Sequence, residues 1–92
     1  MMQPKRMRVP LKMEAHFDPL GNVEPRRFKW ETEAHEVETV RILEIQSRQE
    51  RKRAGTKEIS FICTAIMEEV QHMFEVTYGV EEHKWWLTVM LY

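Results

Sequence analysis

Residues 7–17 constrain this chain more than any other segment. Met7, Val9, Leu11, Met13, Ala15 and Phe17 occupy odd positions, and Arg8, Pro10, Lys12, Glu14 and His16 fall between them. Successive side chains in a strand point to opposite faces, so this run has one apolar and one polar face. A helix would scatter the same apolar residues around its circumference. Pro10 lies on the polar face and has no N–H to donate, which predicts a sheet edge or a bulge there.

The rest of the chain supplies partners for that strand. Asp18-Pro19-Leu20-Gly21-Asn22 is dense in turn residues. A second strand is expected over 26–32, where Phe28 and Trp30 alternate with Arg27, Lys29 and Glu31. Residues 33–36 form a tight connection. The third strand, 37–47, has an imperfect phase: Val37 and Val40 are three apart, while Leu43 and Ile45 are both odd. A bulge near Thr39 would reconcile the halves. Residues 47–57 are polar, end in Ala54-Gly55-Thr56 and read as a long hairpin loop. A turn at 79–83 precedes a last strand over 84–91, with Trp85, Leu87, Val89 and Leu91 on one side.

Residues 58–78 fit two templates. As a helix, Ile59, Ile62, Cys63, Ile66, Val70, Met73 and Phe74 share a face. As two strands turning at Glu68-Glu69, Ile59, Phe61, Cys63, Ala65 and Met67 line one side, followed by Phe74, Val76 and Tyr78. The density of β-branched residues over 59–66 favours strands. The helix would also put Phe61 on its polar face.

Several motifs in order resemble a family of small, uncharacterised bacterial all-β proteins. They are Val9-Pro10-Leu11, the turn at Gly21, Phe28-x-Trp30, Glu36-Val37-x-x-Val40, Phe61-x-Cys63, Phe74-x-Val76-x-Tyr78 and Trp85-Trp86-Leu87. The resemblance covers nearly the whole chain, and it implies strands over 58–78 and no catalytic residues. Glu31-Thr32-Glu33-Ala34 departs from it, because many members have a glycine-containing turn after the tryptophan.

A chain of 92 residues makes a single domain, with residues 1–6 expected as a flexible N-terminal segment. The expected fold is all-β: a small antiparallel barrel, or a strongly curved sheet, of five to six strands. Val9, Leu11, Met13, Phe17, Phe28, Trp30, Leu43, Ile45, Phe61, Cys63, Phe74, Val76, Tyr78, Trp85, Leu87 and Val89 are expected inside. A net charge of -1 excludes a histone-like duplex coat. The lone Cys63 cannot form an internal disulfide and reads as a buried, inert thiol. The N-terminal charges are followed by no apolar run, and no uncharged apolar stretch spans a bilayer. A reducing cytoplasm is the expected compartment.

No nucleophile–base set, phosphate loop or metal-ligand spacing is present, so neither an enzyme nor a cofactor or metal is expected. Two contact surfaces are. The first is a basic hairpin, Arg48, Arg51, Lys52, Arg53 and Lys57 around Glu50, a candidate for phosphates of a nucleic acid. No aromatic is interleaved with these cations, so a base-stacking platform is missing. Arg8, Lys12, Arg27 and Lys29 would form a shallow positive surface with His16 if the first two strands pair. Glu68, Glu69, Glu81 and Glu82 would make the far side acidic. The second contact surface is apolar. Trp85 and Trp86 cannot both enter one core, so Trp86, Met90 and Tyr92 are expected outside, with Ile62 and Ile66. Such a patch marks an interaction site. The leading expectation is a non-catalytic binding or assembly module whose partner is a protein, including a second copy of itself.

Overall fold

The structure is a computed structural model that describes residues 5–32 and 34–92. The alternating segment forms the first of six strands, β1 (Lys5–Phe17). It is followed by β2 (Val23–Glu31), β3 (Val37–Arg53), β4 (Thr56–Met67), β5 (Val70–Gly79) and β6 (Lys84–Met90). Each strand pairs antiparallel with the next, and β1 returns to β6 to close a barrel. Closure removes most of the edge an open sheet would expose. Residues 58–78 are therefore two strands, joined at Glu68–Glu69. Lys5 and Arg6 belong to β1; the remainder of the expected N-terminal segment, including Met2, lies outside the described residues.

Two long strands make closure possible by changing partner along their length. In β1, Lys5–Leu11 follows β6 and Lys12–Phe17 follows β2. In β3, Val37–Arg41 follows β2 and Ile42–Arg53 follows β4. Pro10 sits in the half of β1 that the β2 ladder does not reach, so its missing N–H is not required on that side.

The core follows the alternation where the ladders are regular. Phe28, Val40, Phe61, Cys63, Phe74, Val76 and Leu87 are fully enclosed. Phe28 meets Phe74 edge to face at 5.7 Å, and Tyr78 lies 4.8 Å from Trp85 between ring centres. Leu11, Met13, Trp30 and Ile45, partly buried, pack against this cluster.

Four expectations fail, three of them where a ladder slips or ends. The β2–β3 ladder runs without a break past Thr39; the extra residues of β3 are Leu43 and Gln46, which find no partner on β4. Val40, Ile42 and Ile45 thus share the inner face, while Leu43 is turned out and 57% exposed. Val9 and Phe17, also expected inside, are 38% and 61% exposed. Val9 follows a slip in the β1–β6 register, and Phe17 ends β1 at the barrel mouth, its ring edge towards Tyr78. On β6, Thr88 is an extra residue between Leu87 and Val89, so Met90 packs against the core and Val89 is buried on the outer face beside Glu75. A single extra residue reverses the facing of everything beyond it.

The fourth failure is the polar loop. Residues 47–57 are not a loop: pairing continues to Arg53 opposite Thr56, and only Ala54 and Gly55 turn. Their φ values of 50° and 85° are the two positive angles of a type I′ hairpin. The run is polar on both faces because neither of them packs on the apolar core: Gln46–Glu50, Lys52 and Arg53 are exposed, and Arg51 turns to polar partners on β4 and β5. Since Phe74 is fully enclosed, Phe74→Ala should lower unfolding free energy by about 3–5 kcal/mol in urea titrations.

Candidate functional site: a cationic groove

The outer faces of β4, β5 and β6 are expected to be wet, yet Glu58, Ser60, Thr77, Thr88 and Glu75 are all buried there. All but Ser60 floor a groove of about 450 Å³. One wall is Arg6-Met7-Arg8 from β1, and the other is Arg51-Lys52-Arg53 from β3. These are the halves of the two long strands that each follow a single neighbour. They form opposite margins of the five-strand surface β3–β4–β5–β6–β1.

The floor is a closed polar circuit. Arg51 Nη2 donates to Ser60 Oγ at 2.9 Å and to Glu75 Oε2 at 3.1 Å. The Ser60 and Thr77 hydroxyls are 3.0 Å apart, and those of Thr77 and Thr88 are 2.8 Å apart. Thr88 Oγ1 donates to Glu75 Oε1 at 2.6 Å. Each hydroxyl has one hydrogen, so the ends fix the direction: Ser60 donates to Thr77, Thr77 to Thr88 and Thr88 to the carboxylate. The extra residue Thr88 is what reaches both neighbours. One donor is left over, since Arg51 Nε is buried without a partner.

At the other wall, Arg8 bonds the buried carboxylate of Glu58 and lies over the Trp86 ring, 4.2 Å from its centre. Beneath that ring is Gly79, where a Cβ would come within 3.0 Å of Cζ3. The pairing of a guanidinium with a carboxylate and an aromatic face holds Arg8 across the groove. Arg8 and Arg51 are thus committed to the two buried glutamates. Among the described residues, Arg6, Lys52 and Arg53 have no ion pair.

The expected basic hairpin is redistributed by this arrangement. Arg48 and Lys57 both turn to Glu50, at 2.9 and 3.4 Å, and hold its carboxyl below the usual range, the Arg48 hydrogen bond contributing most. Arg51 enters the groove floor, which leaves Lys52 and Arg53 to face a ligand. Arg8, expected on the β1–β2 surface, has left it for Glu58.

The expected apolar patch is also divided. Trp86 points outward as expected but is half-buried under Arg8, and Met90 packs inward. Ile62 is half-buried and Ile66 exposed, both on the outer face of β4. Tyr92 is exposed beyond β6, its carbonyl accepting the Met73 N–H at 2.9 Å. The four turn glutamates do not make one acidic side. Successive hairpins of an up-and-down barrel lie at alternate ends, so Glu68 and Glu69 are at the end opposite Glu81 and Glu82.

Burial pushes the Cys63 thiol up to about 12, which keeps it protonated and unreactive. Among the described residues, no group of three or more His, Cys, Asp or Glu is placed to hold a metal ion. Among the described residues, no helix is long and apolar enough to cross a membrane. No family model, curated protein or solved structure matches this chain.

Ser60, Thr77 and Thr88 escaped the sequence reading, as did Glu58 and Glu75. A signal for them exists: hydroxyl and carboxylate residues sit at outward positions of strands that are otherwise apolar. Thr77→Val removes the middle of the circuit at constant shape. It should cost about 1–3 kcal/mol in denaturant titrations, because the Ser60 hydroxyl loses the acceptor for its hydrogen and Thr88 loses its hydroxyl donor in a buried floor.

Proposed function

We propose that this chain is a non-catalytic binding module that receives an extended, acidic segment of a protein partner in the β1–β3 groove. The observation that carries this reading is the pair of single-sided strand margins. Lys5–Leu11 follows only β6, and Ser47–Arg53 follows only β4. A strand paired on one side directs every second N–H and C=O away from its neighbour, the template used in strand addition. Three consecutive residues of each strand line the groove, as they do when a strand borders a cleft edge-on.

Charge selects the occupant. Arg6, Lys52 and Arg53 rim the groove without ion-pair partners among the described residues. Cations along an open margin discourage pairing with a second copy, whose own margins are equally basic. They favour a segment carrying carboxylates at alternate positions. A nucleic acid suits the groove less well, because phosphates cannot pair with the open N–H and C=O groups of the two strand margins.

The test is fluorescence anisotropy with a labelled ten-residue peptide of alternating glutamate and valine. Binding should be measurable at low salt and weaken as salt rises. The Lys52→Glu/Arg53→Glu variant should lose at least about tenfold, or about 1.4 kcal/mol. A peptide N-methylated at alternate residues should bind poorly. No binding by the wild type at low ionic strength overturns the proposal.

A further inference from the structure

The outer face of β1, β2 and β3, on a different side of the barrel from the groove, places like charges directly opposite one another. Lys12 pairs with Lys29, and Arg27 pairs with Arg41. Both pairs share one outward face, because Phe28 and Val40, which alternate with these residues, are buried in the core. Arg26 adds a further cation next to Arg27 and reaches only Glu24, at 3.7 Å. The carboxylate within the strip is Glu14, held bidentately by Arg27. Among the described residues, Lys12, Lys29 and Arg41 have no ion pair.

Like charges directly across a ladder destabilise a sheet. Two adjacent instances on one face oppose folding rather than aid it; Glu14 offsets part of the Arg27 charge, and the chain's other fourteen acidic residues would have allowed opposite pairs here. An external anion relieves the repulsion. We propose that this strip is a second binding surface and that it takes the phosphate backbone of a double-stranded nucleic acid.

The geometry selects that class. Arg27 and Lys29 are two residues apart on one strand, about 6.6–6.8 Å along it. Their cross-strand partners repeat the charge sideways at about 4.5–5.5 Å. A repeated, shallow array of this kind suits a polyanion rather than a single enclosed anion. The residues at its centre are charged or polar, Lys12, Glu14, Arg27, Lys29, Thr39 and Arg41. It therefore offers no aromatic for stacking bases of a single strand. The exposed apolar side chains beside it, Leu43 and Val37, flank the cations singly and form no continuous apolar face to enter a lipid surface.

The test is anisotropy with a labelled duplex oligonucleotide, run beside thermal unfolding. Contact with three or four phosphates should weaken binding about 40–150-fold between 50 and 200 mM salt. Lys29→Glu converts one opposed pair to an attractive one. It should lower duplex affinity at least about tenfold, yet raise the melting midpoint by a few degrees. Arg53→Glu, in the groove, should leave duplex binding unchanged, so this inference and the groove reading fail separately. Absence of duplex binding at 50 mM salt, an unchanged affinity in Lys29→Glu, or binding to anionic vesicles but not to duplex would each overturn the assignment.

Discussion

The exchange of partners along β1 and β3 is the constraint from which the other features follow. A barrel of six short strands must bend its sheet sharply to close, and here two strands do so by leaving one neighbour and joining another. Near each exchange the backbone carries slips: opposite Thr88 for β1, and at Leu43 and Gln46 for β3. Bulges add local twist and bend, so the free halves swing out from the barrel wall and enclose the groove between them. The core and the groove are two faces of one surface, and a change that straightened either long strand would open both.

That construction explains why polar side chains are buried outside the core. With Arg6–Arg8 and Arg51–Arg53 raised on either side, the outer residues of β4 to β6 lose contact with water. Buried hydroxyls and carboxylates must then be satisfied locally. The circuit from Arg51 through Ser60, Thr77 and Thr88 to Glu75 does this on one side, and the Arg8–Glu58 pair does it on the other. A buried ion pair adds little net stability, but removing one partner is costly. Arg8 and Arg51 therefore fix where the two walls stand, and the free cations beside them are presented from rigid supports.

The sequence disclosed the fold wherever facing changes with a period of two. The strand at 7–17, the hairpin of 58–78 and the placing of Trp85 against Trp86 were all legible, since each depends on local alternation. The slips were not. Nothing in Leu43 or Thr88 as residue types marks them as extra, and one such residue inverts every side chain that follows. Met90 was misplaced for that reason, and with it the apolar patch built on Trp86. The length of the β3–β4 hairpin was hidden for another reason: with neither face on the apolar core, a polar strand has no alternation to show. The candidate site was half legible. Arg51, Lys52 and Arg53 stood out as charges close in sequence, but Arg6 and Arg8 face them only because β1 closes on β6.

Net charge concealed the most informative electrostatic feature. Fourteen basic and fifteen acidic residues nearly cancel, which argues against a chain that coats nucleic acid by total charge alone. Yet a sum says nothing of arrangement. Two acidic pairs stand in turns at opposite ends, Glu68-Glu69 and Glu81-Glu82, whereas cations line both margins of the groove and the face of β1 to β3. At an ionic strength near physiological, fields reach only about 8 Å, less than the 24 Å of the molecule's shortest dimension. A ligand at either cationic surface therefore responds to its nearest side chains and is little affected by the acidic turns beyond. Within that distance, Lys12 faces Lys29 and Arg27 faces Arg41 at a cost to the sheet. The same barrel spends Arg8 and Arg51 on neutralising its buried glutamates. Arg8 and Arg51 are paired because burial demands it, whereas Lys12, Lys29 and Arg41 stand without ion pairs among the described residues where solvent, or a bound anion, can reach them.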